Sequence, residues 1–340
     1  MIVVMRPEST PEQLDHVVEM VEKMGLSSHL IVGTNRIVVA AVGDKRMVDK
    51  EAIESAPGVE KIVPILSPFK VASREVKPED SIVELRPGGP AVGATQRVGV
   101  IAGPCSVEDR DSLLDVARAV RDAGAIALRG GAFKPRTSPY SFQGLAEKGL
   151  AYLAEAREQT GLTIVTEALT VSHIELVAQY ADVIQIGARN MQNFMLLKAA
   201  GEQDKPVLLK RGMSATMEEF LLAAEYVINA GNPNVILCER GIRTFEEYVR
   251  NTLALSIVPA IRRVSHLPIL VDPTHGTGHA YLVEPLSLAA IAAGADGLLL
   301  EVHPDPEHAL TDAAQQIDLP SFRKLMDRLR RVAAAVDRSV

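Results

Sequence analysis

Cysteine is nearly absent from this 340-residue chain: Cys105 and Cys238 are its whole complement. Two thiols exclude a disulfide-stapled scaffold and point to a reducing compartment, where each reads by default as a small buried apolar side chain. No stretch reaches the roughly 18 consecutive apolar residues of a membrane helix. The opening MIVVMRPEST has neither a basic lead nor a cleavage site, so a cytoplasmic protein is expected. Blocks of like charge are also missing and the net charge is −7, which argues against nucleic acid or a membrane as partner. No GxGxxG turn follows an early strand, which weakens the case for a doubly wound, dinucleotide-binding sheet.

What is present is order. The first segment alternates IVVMR, PEQLDHVVEMVEKMG, HLIVGT, RIVVAAVG, KRMVDKEAIESA and VEKIVPI. These read as strand, helix, strand, strand, helix, strand, the βαββαβ pattern of a ferredoxin-like domain over residues 1–70. Thr10 before Pro11 marks the first helix start and Gly25 its stop. Pro, Gly and charge dominate 71–96, as in VKPED and RPGGPAVG, and predict a linker.

From residue 97 to 340, eight apolar runs alternate with amphipathic stretches: VGVIAG, AIALRG, LTIVTE, VIQIGA, PVLLKR, NVILCE, LPILVD and DGLLLE. Eight nearly all-apolar strands, each followed by a helical pattern, predict an α/β (β/α)8 TIM barrel. Thr216 with Glu219, and Thr244 with Glu247, have the spacing of capping boxes at two helix starts.

In such a barrel the chemistry sits at the C-terminal strand ends. Arg129, Arg189, Lys210 and Arg240 end four runs, and Lys134 and Arg136 follow the second in LRGGAFKPRTSPYSFQG. So many cations on one rim of an acidic protein repel one another unless anions neutralise them, which predicts a substrate with more than one carboxylate or phosphate. Cys105, His275, Glu301 and Asp312 form a second rim set of one thiol, one imidazole and two carboxylates, the donor mixture of a divalent transition ion. Taken singly, Cys105 and His275 fit core packing and Asp312 fits a helix cap. His279 and His303 lie close by as supporting groups, and Cys238 reads as core.

GPCSVE (103–108), LRGGAFKPRTSPYSFQG (128–144), VTEAL (165–169), QIGARNMQN (185–193), LLKRGM (208–213), LCERGIRTF (237–245), VDPTHGTG (271–278) and LEVHPDPEHALTD (300–312) together resemble the 3-deoxy-D-arabino-heptulosonate 7-phosphate (DAHP) synthase family. The resemblance extends to the subgroup with an N-terminal ferredoxin-like regulatory domain. It implies condensation of phosphoenolpyruvate with erythrose 4-phosphate, the first step toward aromatic amino acids. It also implies that Arg129, Lys134, Arg189, Lys210 and Arg240 hold phosphoenolpyruvate, and that Arg136, Thr137 and Ser138 hold erythrose 4-phosphate. Cys105, His275, Glu301 and Asp312 match the family's ligands for a divalent metal (Mn, Co, Zn, Fe or similar). Lys134 is the expected proton donor to the new alkoxide, and Glu167 the residue that orients or deprotonates water. Tyrosine or phenylalanine is the implied effector, and a homotetramer the implied assembly.

Two other readings fit parts of the pattern. One is 3-deoxy-D-manno-octulosonate 8-phosphate synthase, which uses arabinose 5-phosphate and shows KANRSS where this chain has KPRTS. The other is an inactive amino-acid-sensing protein, against which stand the unsubstituted anion and metal positions.

Overall fold

A computed structural model describes residues 1–32, 37–43, 49–63, 68–94, 97–134 and 140–340. The chain divides into two compact units, residues 1–80 with 263–266, and residues 81–262 with 267–340.

The first unit runs β1 (Ile2–Met5), α1 (Pro11–Lys23), β2 (Ser27–Val32), β3 (Ile37–Val42), α2 (Lys50–Glu54) and β4 (Val59–Val63). Its antiparallel sheet has the order β2-β3-β1-β4, as the ferredoxin-like pattern requires. Thr10 and Gln13 close a capping box at the start of α1, and Gly25 follows its end at φ +76°. Alternate residues of a strand face opposite sides. Val3 and Met5 accordingly pack with Val17 and Val21 of α1, while Ile2 and Val4 pack with Ala40 and Val76. Both faces of β1 are covered, so all four of its residues are buried.

The second unit begins with a hairpin, β5 (Val83–Glu84) and β6 (Ala91–Val92), inside the stretch expected to be linker. Its Gly and Pro residues form the turn, closed by Leu85 N–H donating to Pro90 O at 2.8 Å. Val83, Leu85 and Val92 belong to the same apolar cluster as Ile101, Val165, Leu208 and Leu299 of the barrel, so this part of 71–96 is barrel core.

Eight parallel strands then close the barrel: β7 (Gly99–Gly103), β8 (Ala127–Arg129), β9 (Thr163–Glu167), β10 (Val183–Ile186), β11 (Val207–Lys210), β12 (Val235–Glu239), β13 (Ile269–Val271) and β14 (Gly297–Glu301). β14 pairs with β7, Glu301 lying opposite Gly103. The surrounding helices are α3 (Arg110–Ala123), α4 (Glu147–Thr160), α5 (Ile174–Tyr180), α6 (Phe194–Gly201), α7 (Met217–Asn229), α8 (Ile257–Val264), α9 (Pro273–Thr277), α10 (Ala280–Ala292) and α11 (Leu319–Ala335). Thr216 and Glu219 cap α7 reciprocally. Thr244 and Glu247 do not start a helix: Ile242 bridges Thr252, and the Thr244 hydroxyl lies 2.6 Å from that of Thr252. The pair's spacing is a cap only when a helix follows, and α8 starts later.

His266, in the first unit, is 7% exposed with Nε2 2.8 Å from Val71 O. Burial, helped by Lys77 and Arg74, pushes its pKa down to about 4 from 6.5. The native imidazole is therefore neutral where an unfolded one protonates, so this contribution is complete above pH 6.5 and declines as pH falls toward 4. Between pH 7 and 5 the loss is about 2 kcal/mol. Urea unfolding at those two pH values should show a correspondingly smaller difference for His266→Gln than for the unsubstituted chain. Equal differences would refute the assignment.

Candidate active site

The strand ends open into a cleft whose lining includes Arg129, Lys134, Glu167, Arg189, Lys210, Arg240, Arg250, His275 and Asp312. Arg129 ends β8 and is buried, its Nη1 donating to Glu301 Oε1 at 2.8 Å and to Pro104 O at 2.7 Å. Burial opposes its charge, yet Glu301 and Cys105 raise its pKa above the ordinary guanidinium value. Lys210 ends β11 and donates to Asp272 Oδ2 at 2.6 Å. Arg240 follows β12, and burial lowers its pKa. Among the described residues nothing accepts a hydrogen bond from Arg240 Nη1 or Arg129 Nε. Buried donors without acceptors are costly, and here they line a cleft suited to an anion. Arg189 sits on a single helical turn after β10. Arg136, Thr137 and Ser138 lie outside the described residues.

Glu167 ends β9, where Gln185 Nε2 donates to its Oε2 at 3.1 Å. A Cβ on Gly187 would stand 2.0 Å from Glu167 Oε1, so only glycine there lets the carboxylate keep this place. Gly131 has a similar part, since a Cβ there would meet Lys134 Cδ at 2.8 Å and Cys105 O at 2.9 Å. Lys134 Nζ thereby donates to Cys105 O at 3.0 Å and lies 3.0 Å from Cys105 Sγ.

Donor atoms of Cys105, Glu301 and Asp312 lie within 4.8 Å of one another. His275 Nε2 is 3.2 Å from Glu301 Oε1. Asp272 Oδ2 accepts from His275 Nδ1 at 2.7 Å, which leaves the Nε2 lone pair facing the Glu301 carboxylate. Two acceptors that close are unfavourable unless a cation lies between them, and imidazole, carboxylate and thiol donors suit a divalent transition ion. Burial lowers the His275 pKa although Asp272 and Glu301 oppose it, so the imidazole is neutral near pH 7. Burial would raise the Glu301 carboxyl, but His275, Arg129 and Lys134 hold it down to about 2. Asp272, equally buried, is held well below the carboxylate range by His275 and Lys210. Burial and then Glu301 push the Cys105 thiol up to about 12, so a bound divalent ion would have to displace its proton. Asp312 has the left-handed φ of +48°, and its Oδ2 lies 3.4 Å from Cys105 Sγ. Its side chain makes no helix cap.

The structure thus gathers Cys105, Glu301 and Asp312 beside the cationic rim, with His275 next to Glu301 but outside the set of three whose ligand atoms all lie within 4.8 Å of one another. Asp272, rather than His279 or His303, supports His275: the His279 ring lies against Tyr281, and His303 Nδ1 accepts from Asp305 N–H at 3.1 Å. Cys238 is core. Sequence reasoning missed Arg250, whose Nη1 lies 3.5 Å from Asp312 Oδ1, because it stands on a loop away from any strand end. It also missed the amides of Gln315 and Gln316, which carry no charge to draw notice.

The profile described as "DAHP synthetase I family" matches residues 74–336, and that of "DAHP synthase ferredoxin-like domain" matches 1–67. The phospho-2-dehydro-3-deoxyheptonate aldolase of Thermotoga maritima is 53% identical over 336 residues, spanning 99% of this chain and 98% of the relative. A 2-dehydro-3-deoxyphosphooctonate aldolase of Syntrophotalea carbinolica is 34% identical over 72% of this chain and 94% of its own length. The crystal structure of the Thermotoga maritima DAHP synthase superposes with a TM-score of 0.79 at 52% identity, covering 100% of this chain and 98% of that one. A truncated form of the 3-deoxy-D-arabino-heptulosonate 7-phosphate synthase from that organism covers 79% of this chain and 98% of its own, with a TM-score of 0.74 at 51% identity.

If Cys105 is a ligand, binding releases its proton, and apparent affinity for Zn2+ should rise about tenfold per pH unit between pH 7 and 9. Calorimetry in buffers of differing ionisation heat reads that proton directly; a pH-independent affinity would exclude the thiol. Asp272→Asn removes the charge and one of the two accepting oxygens that hold the His275 backbone and ring, and should weaken Zn2+ binding about 10- to 100-fold.

Proposed function

The chain belongs to the DAHP synthetase I family, and from that premise we propose that its barrel mouth joins phosphoenolpyruvate, erythrose 4-phosphate and water into 3-deoxy-D-arabino-heptulosonate 7-phosphate, releasing inorganic phosphate. The observation that carries this reading is the ring of Arg129, Lys134, Arg189, Lys210 and Arg240 around one cleft, with buried guanidinium donors lacking partners among the described residues. Two phosphates and a carboxylate account for so much positive charge.

In this reading, the five cations hold phosphoenolpyruvate, and Arg136, Thr137 and Ser138 hold erythrose 4-phosphate. Cys105, His275, Glu301 and Asp312 hold a divalent ion (Mn, Co, Zn, Fe or similar), which when bound supplies Lewis-acid polarisation of the aldehyde. The electron pair of the enol double bond forms the new carbon–carbon bond from C3 of phosphoenolpyruvate to the aldehyde carbon. Lys134 Nζ donates a proton to the resulting alkoxide. Positive charge then develops at C2, stabilised by the one phosphate-bearing oxygen attached to it. Water adds there, and Glu167, held by Gln185 and admitted by Gly187, accepts the water's proton. The hemiketal phosphate collapses by cleavage of its C2–O bond, and the departing phosphate takes the hemiketal hydroxyl proton. The ferredoxin-like unit binds tyrosine or phenylalanine and couples it to turnover in a cytoplasmic homotetramer.

Phosphate release with phosphoenolpyruvate should be rapid with erythrose 4-phosphate, slow with arabinose 5-phosphate and abolished by a chelator. Preference for arabinose 5-phosphate would favour the octulosonate reading suggested by the 34% identical relative, and no release with either sugar would favour an inactive sensor. Lys134→Ala should lower kcat about 10²- to 10⁴-fold. Near-normal turnover in Glu167→Gln would withdraw the role of Glu167. Deleting residues 1–70 should preserve activity and abolish inhibition by aromatic amino acids; persistent inhibition would place the effector elsewhere.

A further inference from the structure

Gln315 and Gln316 are consecutive, 2% and 1% exposed, and belong to no strand end. Their segment continues alongside β14: Ile317 N–H donates to Glu301 O at 3.1 Å, and His303 N–H donates to Ile317 O at 3.0 Å. Gln316 has extended backbone, φ −76° and ψ 143°. Gln315 ends a short 3-10 turn and Gln316 leaves it in extended conformation, and these two amides reach different loops.

Gln316 joins the loops that carry Cys105 and Asp312. Its Oε1 accepts from Cys105 N–H at 3.0 Å, and its Nε2 donates to Thr311 O at 2.9 Å, one residue before Asp312. The hydroxyls of Ser106 and Thr311, 2.7 Å apart, tie the same two loops beside it. Gln315 works on the other side. Its Nε2 donates to Glu301 Oε2 at 2.6 Å, leaving Oε1 toward His275, and its Oε1 lies 3.3 Å from Arg250 Nη1, a group that also faces Asp312. Each amide uses one donor and one acceptor at once, which neither a carboxylate nor an apolar side chain of that size can do.

We propose that Gln315 and Gln316 are a positioning pair for the ligand cluster, Gln316 setting the approach of Cys105 to Asp312 and Gln315 fixing the rotation of Glu301. The proposal rests on the reading of Cys105, His275, Glu301 and Asp312 as metal ligands and adds the residues that set their spacing. Neither glutamine lines the cleft that carries the cations, so their effect passes through the ligands they hold.

Co2+ added to the full-length chain tests this without turnover, since a thiolate on Co2+ gives a near-ultraviolet charge-transfer band. Gln316→Leu should weaken Co2+ binding about 10- to 100-fold and diminish or shift that band, because it releases the loop of Cys105. Gln315→Leu should weaken binding comparably while keeping the band, because it releases Glu301 and leaves the thiol in place. Titrations are run well below the melting temperature of each apo variant, with circular dichroism confirming the fold. A merely structural role would lower that melting temperature and leave affinity and band alone. Should Gln316→Leu fail to fold, Gln316→Met, unbranched and closer in shape, is held to the same criterion. A normal band in the unsubstituted chain with unchanged affinity in both variants overturns the pair's role alone. Absence of the band in the unsubstituted chain overturns the ligand reading and this proposal with it.

Discussion

The Glu301 carboxylate lies fully buried at the end of β14, and three groups converge on it: Arg129 Nη1, His275 Nε2 and Gln315 Nε2. Burying that charge is costly, and the arrangement persists because each oxygen is matched. Oε1 faces Arg129 and His275, while Oε2 takes the amide. Removing the carboxylate would leave the Arg129 guanidinium buried against it uncompensated, a change that costs about 3–5 kcal/mol in comparable buried pairs. The same residue pairs with Gly103 where β14 meets β7, so barrel closure and charge pairing meet at one position. Asp272 has the corresponding place next door, sharing Oδ2 between Lys210 and His275 and capping α9 through Oδ1.

The barrel was legible because its strands are covered on both faces and read as unbroken apolar runs, each ending where the chain meets the mouth. Arg129, Glu167, Lys210 and Glu301 could be picked out by that rule alone, and the structure places each as the last residue of its strand. Thr244 with Glu247 shows where a local rule fails. Spacing describes a cap, but whether a helix follows is decided by what the next ten residues pack against, and here the chain returns to bridge Ile242 with Thr252. The hairpin in residues 81–94 was hidden for a similar reason. Gly and Pro mark a turn and a linker equally, and only the distant barrel side chains around Val83, Leu85 and Val92 separate the two.

Within the mouth, legibility followed charge and strand register. Asp272 was visible as a strand end, yet its service to both His275 and Lys210 depends on side-chain reach across two strands. Arg250 lies on an irregular loop that no strand-end rule samples. Gln315 and Gln316 are neutral and adjacent, and their importance lies in direction: where the 3-10 turn gives way to extended backbone, one amide meets Glu301 and the other Cys105. The left-handed backbone at Asp312 is likewise silent in sequence, since Asp tolerates that conformation without requiring it.

Cys105 and Asp312 are neighbours across 207 positions of sequence because the first and last strands of the barrel are adjacent. During synthesis, β7 therefore leaves the ribosome long before the strand that completes its edge. At roughly 5–20 residues per second, that interval is on the order of ten to forty seconds. Throughout it the Cys105 thiol has no Glu301 or Asp312 beside it, and the open flank of β7 has no parallel partner. Assembly of the mouth is thus a late event in the life of the nascent chain.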